Sequence, residues 1–178
     1  MHDLEDFTVG SDGVTDLRPL ASLTRLRSVV IGSRRLSDVS ALSDIQTLNQ
    51  VKLYVGIDVD FTALRRLGGL RRLVVSMSRP KLHAAKVPAF HASIASLQPL
   101  QHLELEHFAL DVRAAGIERI SFIEGLPRLT ALVLADNDIL DISPLSTLSE
   151  LAALDIAHND ITDLQPLVDN PGFAEGDH

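Results

Sequence analysis

Aliphatic residues recur along this chain in a fixed triplet. The triplet occupies offsets 0, 3 and 5 of a repeated segment and occurs seven times. The members are Leu4-Phe7-Val9, Leu26-Val29-Ile31, Leu48-Val51-Leu53, Leu70-Leu73-Val75, Leu100-Leu103-Leu105, Leu129-Leu132-Leu134 and Leu151-Leu154-Ile156. Four of the six steps between triplets are 22 residues, and the other two are 30 and 29. A period of this length is the signature of a repeat protein, in which each unit packs only on its neighbours.

Each triplet has the alternation of a short β-strand. Offsets 3 and 5 face one side of such a strand, and offsets 2, 4 and 6 face the other. The pattern predicts seven strands, near residues 4–9, 26–31, 48–53, 70–75, 100–105, 129–134 and 151–156. One repeat domain is therefore expected over residues 1–178.

The segments that return from one strand to the next carry a regular aspartate. It stands at offset 12 in five repeats, as Asp16, Asp38, Asp60, Asp141 and Asp163. Aliphatic residues follow at offsets 13 and 16, and in three arcs a proline precedes the second of them. Aspartate followed by proline and leucine favours a capped, short helical turn. A row of ligand carboxylates is the alternative, but capping already accounts for the fixed offset.

Two arcs and one terminus depart from the period. Residues 76–99 and 106–128 are longer than the standard arc, and the second predicts a helix from an N-cap at Asp111 to Gly125. Residues 170–178 form an incomplete terminal repeat, in which Phe173 falls 22 residues after Leu151. Aliphatic layers left open at the ends predict self-association.

The last two repeats carry the clearest motif. The stretch LTALVLADNDILDISPLSTLSELAALDIAHNDITDLQPL resembles the 22-residue class of leucine-rich repeats in internalin-like bacterial proteins. Asn137 and Asn159 occupy that family's asparagine column, whereas Asp12, Arg34 and Gly56 replace it in the first three repeats. The resemblance implies a curved, right-handed α/β solenoid of about seven repeats. A parallel sheet would line its concave face, and short 3-10 or helical arcs its convex face. It also implies looser turns where the asparagine is missing.

Composition excludes several classes of function. The chain has no cysteine, which removes disulfide scaffolds, thiolate metal sites and cysteine nucleophiles. Its net charge of −8 disfavours nucleic-acid binding, and no apolar run approaches the length that spans a bilayer. The acidic N-terminus is not a signal peptide, so a cytoplasmic location is expected. Charge is uneven along the chain. Residues 1–90 contain thirteen basic and nine acidic residues, whereas residues 91–178 contain three basic and fifteen acidic residues.

The outward strand positions supply the candidate binding residues. Large and varied side chains gather on three adjacent predicted strands: Gln50, Lys52, Tyr54, Arg72, Val74, His102, Glu104 and Glu106. Tyrosine and arginine are typical of interface hot spots, and an idle solvated sheet is the alternative. His102, Glu104 and Glu106 would point the same way on one strand, which leaves a metal site open, although one strand seldom completes a coordination shell.

No catalytic motif is present, and no cofactor is expected. The sequence therefore predicts a non-enzymatic module that binds a protein partner through its concave sheet. The alternative is a regulatory or sensing segment of a larger multidomain bacterial protein that acts on a neighbouring domain in cis.

Overall fold

Seven parallel strands form one sheet in strict chain order. The structure is a computed structural model that describes residues 4–77 and 84–174. The strands are β1 (Asp6–Gly10), β2 (Ser28–Ser33), β3 (Gln50–Val55), β4 (Arg72–Ser76), β5 (His107–Asp111), β6 (Ala131–Val133) and β7 (Ala153–Asp155). Parallel strands in this order require each connection to return over the same side, which is the geometry of a solenoid. The seven-repeat solenoid predicted from the 22-residue period is confirmed.

The arcs on the opposite side are mostly single turns of 3-10 helix. Those turns span Arg18–Ser22, Ser40–Asp44, Thr62–Arg66, Ala84–Lys86, Gln98–His102, Ser121–Gly125 and Ser143–Thr147. Three short α-helices complete the described arcs: α1 (Val87–Ala95), α2 (Gln165–Val168) and α3 (Pro171–Ala174). Between arcs and sheet runs one continuous aliphatic core, in which the inward residues Val29, Ile31, Leu132 and Leu134 have no exposed surface.

The offset-12 aspartates are turn-forming residues. Each accepts a hydrogen bond of 2.8 to 2.9 Å from the backbone N–H two residues later, where the helical turn begins. Such a side chain satisfies a donor that a helix of one turn leaves unpaired. This local role explains all five aspartates. The alternative, in which their carboxylates form a row of ligands, therefore loses its support.

The fifth strand lies later in the chain than the sequence pattern predicts. Residues 98–102 form a 3-10 turn, and β5 begins at His107. The segment Leu97-Gln98-Pro99-Leu100 repeats the arc pattern of Leu17-Arg18-Pro19-Leu20, so Leu100 is an arc residue. The prediction of a strand at 100–105 was wrong because leucines spaced by two and three residues occur in both the arc and the strand.

A single long arc replaces the two that were expected. Paired residues of adjacent strands differ by 22 in number at five of the six strand pairs. Across β4 and β5 they differ by 35, as Leu73 pairs with Phe108. The extra residues therefore all lie between β4 and β5, a segment that includes α1. The predicted lengthening of 106–128 was wrong, because that segment follows the 22-residue pairing.

The helix predicted from Asp111 is also absent. Asp111 ends β5, Ala114 and Gly116 take left-handed backbone conformations, and only Ser121–Gly125 is helical. Positive φ at two residues so close together interrupts a right-handed helix. Ile120 and Ile123 are nevertheless buried, because they occupy the arc's regular inward positions.

The turns that follow the strands are built in two ways. In the later repeats Asn137 is buried, accepts hydrogen bonds of 3.0 Å from the N–H groups of Ala115 and Ile117, and donates to the carbonyl oxygens of Val112 and Leu134. Asn159 repeats this role one unit later. In the earlier repeats the residues one position before the asparagine column, Ser33, Val55 and Met77, are buried, and the hydroxyl of Ser33 donates a hydrogen bond of 2.7 Å to the carbonyl oxygen of Val14. The expectation of looser turns in the first repeats stays a prediction.

Candidate functional site

The concave side chains of β3 and β4 form the candidate binding surface. Gln50, Lys52 and Tyr54 point outward from β3, and Arg72 and Val74 from β4. Gln50 pairs with Arg72, and Lys52 pairs with Val74, so these side chains form rows across neighbouring strands. Their place on the outer face follows from the strand alternation, because Val51 and Leu53 between them have no exposed surface. The structure thus brings together five of the eight predicted site residues.

The remaining three predicted site residues are elsewhere. His102 ends the 3-10 turn Gln98–His102, and Glu104 and Glu106 lie in the connection that precedes β5. Glu104 forms an ion pair of 3.6 Å with Arg71, and the backbone N–H of Glu106 donates to the carbonyl oxygen of Arg71. Their placement on the concave strand was wrong, because the fifth strand begins only at His107.

The position of these three residues also contradicts the geometry that the metal-site hypothesis requires. That hypothesis required His102, Glu104 and Glu106 to project in parallel from one strand. Over residues 4–77 and 84–174, no group of three histidine or carboxylate side chains is placed to hold a metal ion.

Three residues that sequence reasoning missed take the concave positions of β5. His107, Ala109 and Asp111 alternate with the buried Phe108 and Leu110. Their partners across the sheet, Arg72, Val74 and Ser76, stand on β4. The sequence does carry a signal for them. The arc pattern at Leu97-Gln98-Pro99-Leu100 favours a strand that begins after residue 102, although Leu100, Leu103 and Leu105 also fit the strand spacing.

Two cations on this surface have no ionic partner in the described part of the chain. Many of the other basic side chains are paired, such as Arg18 with Asp16 at 2.8 Å, Arg71 with Glu104 and Arg128 with Glu150 at 3.3 Å. Lys52 and Arg72 make no such contact within the described residues, although they lie on adjacent strands. Their positive charge therefore faces the concave side without an internal counter-charge.

The large apolar side chain of the concave face also lies on β3. Tyr54 is 47% exposed, although it is the one tyrosine of the chain. The corresponding positions on β1 and β2, which pair in a row with it, are Gly10 and Gly32. Ala131 and Ala153 are the paired outward residues of β6 and β7. Contact area for a partner is thus greatest on the central strands.

Negative charge accumulates toward the last strand. Asp155 is exposed on the concave side of β7, and exposed Asp136 and Asp160 lie in the turns beside it. Arg113 forms an ion pair with Asp111 at 3.0 Å, and this hydrogen-bonded contact, together with the charges of Asp155 and Asp136, raises the pKa of its guanidinium. One cation facing three carboxylates leaves an excess of negative charge at this end of the face.

The electrostatics of the convex turns differ from those of the concave face. The hydrogen bonds from Arg18 lower the pKa of Asp16 to about 2. Hydrogen bonds from Ser40, Thr62 and Ser143 likewise lower the pKa of Asp38, Asp60 and Asp141. These shifts follow from turn geometry and mark no reactive group.

No protein-family model and no curated protein sequence matches this chain. Its fold is similar to the crystal structure of the internalin InlF from Listeria monocytogenes, at 27% identity and a TM-score of 0.57, over 93% of this chain and 44% of that one. Internalin C2 of the same organism is similar at 26% identity and a TM-score of 0.57, over 89% and 64%. This chain thus spans from under half to under two thirds of the lengths of those internalins.

A structure of TLR13 in complex with single-stranded RNA is similar in fold, with 18% identity and a TM-score of 0.57 over 90% of this chain. At that identity the likeness concerns the fold alone. Among the described residues, no helix is both long and apolar enough to cross a membrane. The parallel seven-strand sheet, the 22-residue pairing and the asparagine turns are those of a leucine-rich-repeat solenoid, and in this fold the chain is similar to the two internalins.

Proposed function

We propose that this chain is a non-enzymatic recognition module that binds a protein partner through the concave side chains of β3 and β4. The observation that carries the proposal is the grouping of exposed Tyr54 with the unpaired cations Lys52 and Arg72 on two adjacent strands. Tyrosine and arginine supply much of the binding energy in protein interfaces. The buried aliphatic layers beneath hold the surface in place before binding, which lowers the entropic cost of association.

The similar structures support the general class of this proposal. They are internalins and other leucine-rich-repeat proteins. A protein partner, the lack of enzymatic activity and a cytoplasmic location are proposals for this chain. Regulation of a neighbouring domain in cis, as a segment of a larger multidomain protein, stays a second prediction.

Site-specific crosslinking tests where a partner binds. A photoreactive amino acid is introduced in place of Val74, and the same group in place of exposed Arg65 on the convex side is the control. Proteins captured at position 74 and not at position 65 are then purified, and their affinities are measured by calorimetry. Tyr54→Ala and Arg72→Ala should each lose more than ~1 kcal/mol of binding free energy.

Matched variants on the turns and arcs provide the comparison. Arg34, which pairs with Asp12, and Asp141, which caps a convex turn, lie away from the concave rows. Their replacement by alanine should change the affinity little. If these two variants abolish binding while Tyr54→Ala has no effect, the concave site is wrong.

Self-association is a separate proposal that rests on the outer layers of the core. Phe7 and Val9 on β1, and Leu154 and Ile156 at β7, are only partly buried, whereas their counterparts on inner strands are fully buried. Covering such aliphatic layers is favourable. We expect light scattering to show a rise in mean mass with concentration, and a constant monomer mass up to near-millimolar concentration would contradict it.

A further inference from the structure

We infer that the partner segment is bipolar: it places a carboxylate on Lys52 and Arg72 and a basic side chain on the acidic end of the same face, at Asp155. The inference rests on the proposed function and adds the chemistry and spacing of what is bound. It is argued from the position and pairing of charges on the concave side.

The positive end is a pair of cations held on two strands. Lys52 pairs across the sheet with Val74, and Arg72 stands two residues before Val74 on the same strand. Diagonal neighbours of this kind have Cβ atoms about 7–8 Å apart. A carboxylate set between them contacts both cations, and the planar guanidinium of Arg72 offers it two parallel hydrogen bonds. Within residues 4–77 and 84–174, neither cation has an ion pair that must first be broken.

The next strand orders this positive end further. Arg72 pairs with His107, whose Nδ1 lies 3.3 Å from the hydroxyl oxygen of Thr130. The imidazole is therefore held in place beside the arginine by the following repeat. Gln50 pairs with Arg72 on β3. Its side-chain amide offers the partner's carboxylate a second polar contact.

The floor between the two charged ends is small and apolar. Val74, Ala109, Ala131 and Ala153 pair in one row from β4 to β7. Small side chains leave room for larger apolar side chains of a partner and offer them no competing charge. The one acidic side chain near this floor, Asp111, is already paired with Arg113.

The separation of the charged ends sets a spacing in the partner. Parallel strands lie about 4.8 Å apart and rise about 3.3 Å per residue. Asp155 on β7 aligns across the sheet with Ser76, four residues beyond Arg72 on β4, and with Tyr54, two residues beyond Lys52 on β3. Both cations therefore lie about 20 Å from Asp155. An extended chain advances about 3.3 Å per residue. An acidic and a basic residue about six positions apart, with apolar residues between them, would match both ends.

A polyanion fits this face less well than a bipolar peptide. Phosphates that reached Lys52 and Arg72 would also meet Asp155 and the exposed Asp136. The whole chain carries a net charge of −8, which adds general repulsion. Single-stranded RNA therefore serves as a competing ligand in the test.

A displayed library of random 12-residue peptides tests the inference and does not require the natural partner. It is selected against the full chain, against a Lys52→Gln/Arg72→Gln variant and against an Arg65→Gln/Arg66→Gln control, which changes the same charge on the convex side. The wild type and the control should enrich peptides with Asp or Glu about six positions from Lys or Arg. The Lys52→Gln/Arg72→Gln variant should lose the acidic preference and keep the basic one.

A synthetic peptide of the enriched sequence then gives affinities. We expect binding about ten-fold weaker to Lys52→Gln/Arg72→Gln, since two exposed charge contacts are lost. Asp155→Asn should weaken binding only of peptides that keep the basic residue. Thermal unfolding should be unchanged in Lys52→Gln/Arg72→Gln, in Asp155→Asn and in the Arg65→Gln/Arg66→Gln control, because the replaced side chains point outward.

The outcomes separate this inference from the proposed function. Peptides that require Tyr54 and Val74 but show no acidic preference overturn the inference and leave the concave site intact. Competition by a single-stranded RNA oligonucleotide at low micromolar concentration also overturns it. If no peptide binds, or if binding is insensitive to every concave substitution, both the inference and the proposed function fail.

Discussion

The hydroxyl oxygen of Ser93 accepts a hydrogen bond of 2.8 Å from the backbone N–H of Val59. The same hydroxyl donates at 2.8 Å to the carbonyl oxygen of Ile57, and Ser93 is buried. One residue of helix α1 thus satisfies two backbone groups of the preceding repeat. Ser96 makes the matching contact of 2.9 Å with the N–H of Phe61. These contacts fasten the long arc between β4 and β5 to the third repeat.

Ser93→Ala should destabilise the protein by about 1–3 kcal/mol, because it leaves a buried donor and a buried acceptor without partners. Chemical denaturation with circular dichroism measures the change. The control is Ser22→Ala, whose hydroxyl bonds a local carbonyl oxygen at an exposed position and should cost less than about 0.5 kcal/mol. Equal losses at the two sites would show that α1 is not held by this contact.

Asn137→Ala should cost about 3 kcal/mol or more in the free energy of unfolding, because the buried amide serves two N–H groups and two carbonyl oxygens of adjacent turns. Asn159→Ala should cost about half as much. Asn159 is less buried, and among the described residues its amide oxygen accepts a hydrogen bond from Ile139 alone. Hydrogen exchange of the Ala115 and Ile117 amides should rise in Asn137→Ala. Unchanged protection of those amides would contradict the assigned network.

Inward and outward residues of one strand should respond differently to truncation. Leu132→Ala should cost about 2–5 kcal/mol, because Leu132 has no exposed surface and its loss leaves a cavity. The adjacent outward change, Val133→Thr, should cost far less, because Val133 is partly exposed. Thermal unfolding of the two variants distinguishes them, and similar losses would contradict the strand register.

The turn aspartates should make the protein sensitive to acid. The folded-state pKa of Asp16, Asp38, Asp60 and Asp141 lies below the value of about 3.9 for an unfolded chain. Their contribution to stability is therefore complete above that value and is lost as pH falls through the folded-state pKa, which is about 2 for Asp16. We expect the melting temperature to decline between about pH 4 and pH 2.

Asp60→Asn tests the origin of that decline. The amide oxygen still accepts the hydrogen bond from Thr62, but it does not titrate, so the melting temperature of this variant should depend less on pH in the acid range. Asp44→Asn is the control, because exposed Asp44 accepts no hydrogen bond from the described residues. If the melting temperature of Asp60→Asn falls with pH as steeply as that of the wild type, the acid sensitivity comes from other carboxyl groups.

Most of the architecture follows from the sequence alone. Six strands, the solenoid class, the capped aspartate turns and the inward or outward position of each strand residue were predicted from aliphatic spacing. This is possible because a repeat makes only local and nearest-neighbour contacts, so one 22-residue unit contains most of the information for its own fold. Gln50, Lys52, Tyr54, Arg72 and Val74 were placed correctly for the same reason.

Only the tertiary structure decided the fifth strand. Between residues 97 and 110 the leucines and Phe108 satisfy the strand triplet in more than one frame, including Leu100-Leu103-Leu105 and Leu105-Phe108-Leu110. Local spacing does not distinguish these frames, because arcs and strands both place aliphatic residues two or three apart. The choice is made by pairing with β4 and β6, where Leu73, Phe108, Leu110 and Leu132 stack in one core. That pairing moved His102, Glu104 and Glu106 off the concave face and put His107, Ala109 and Asp111 on it.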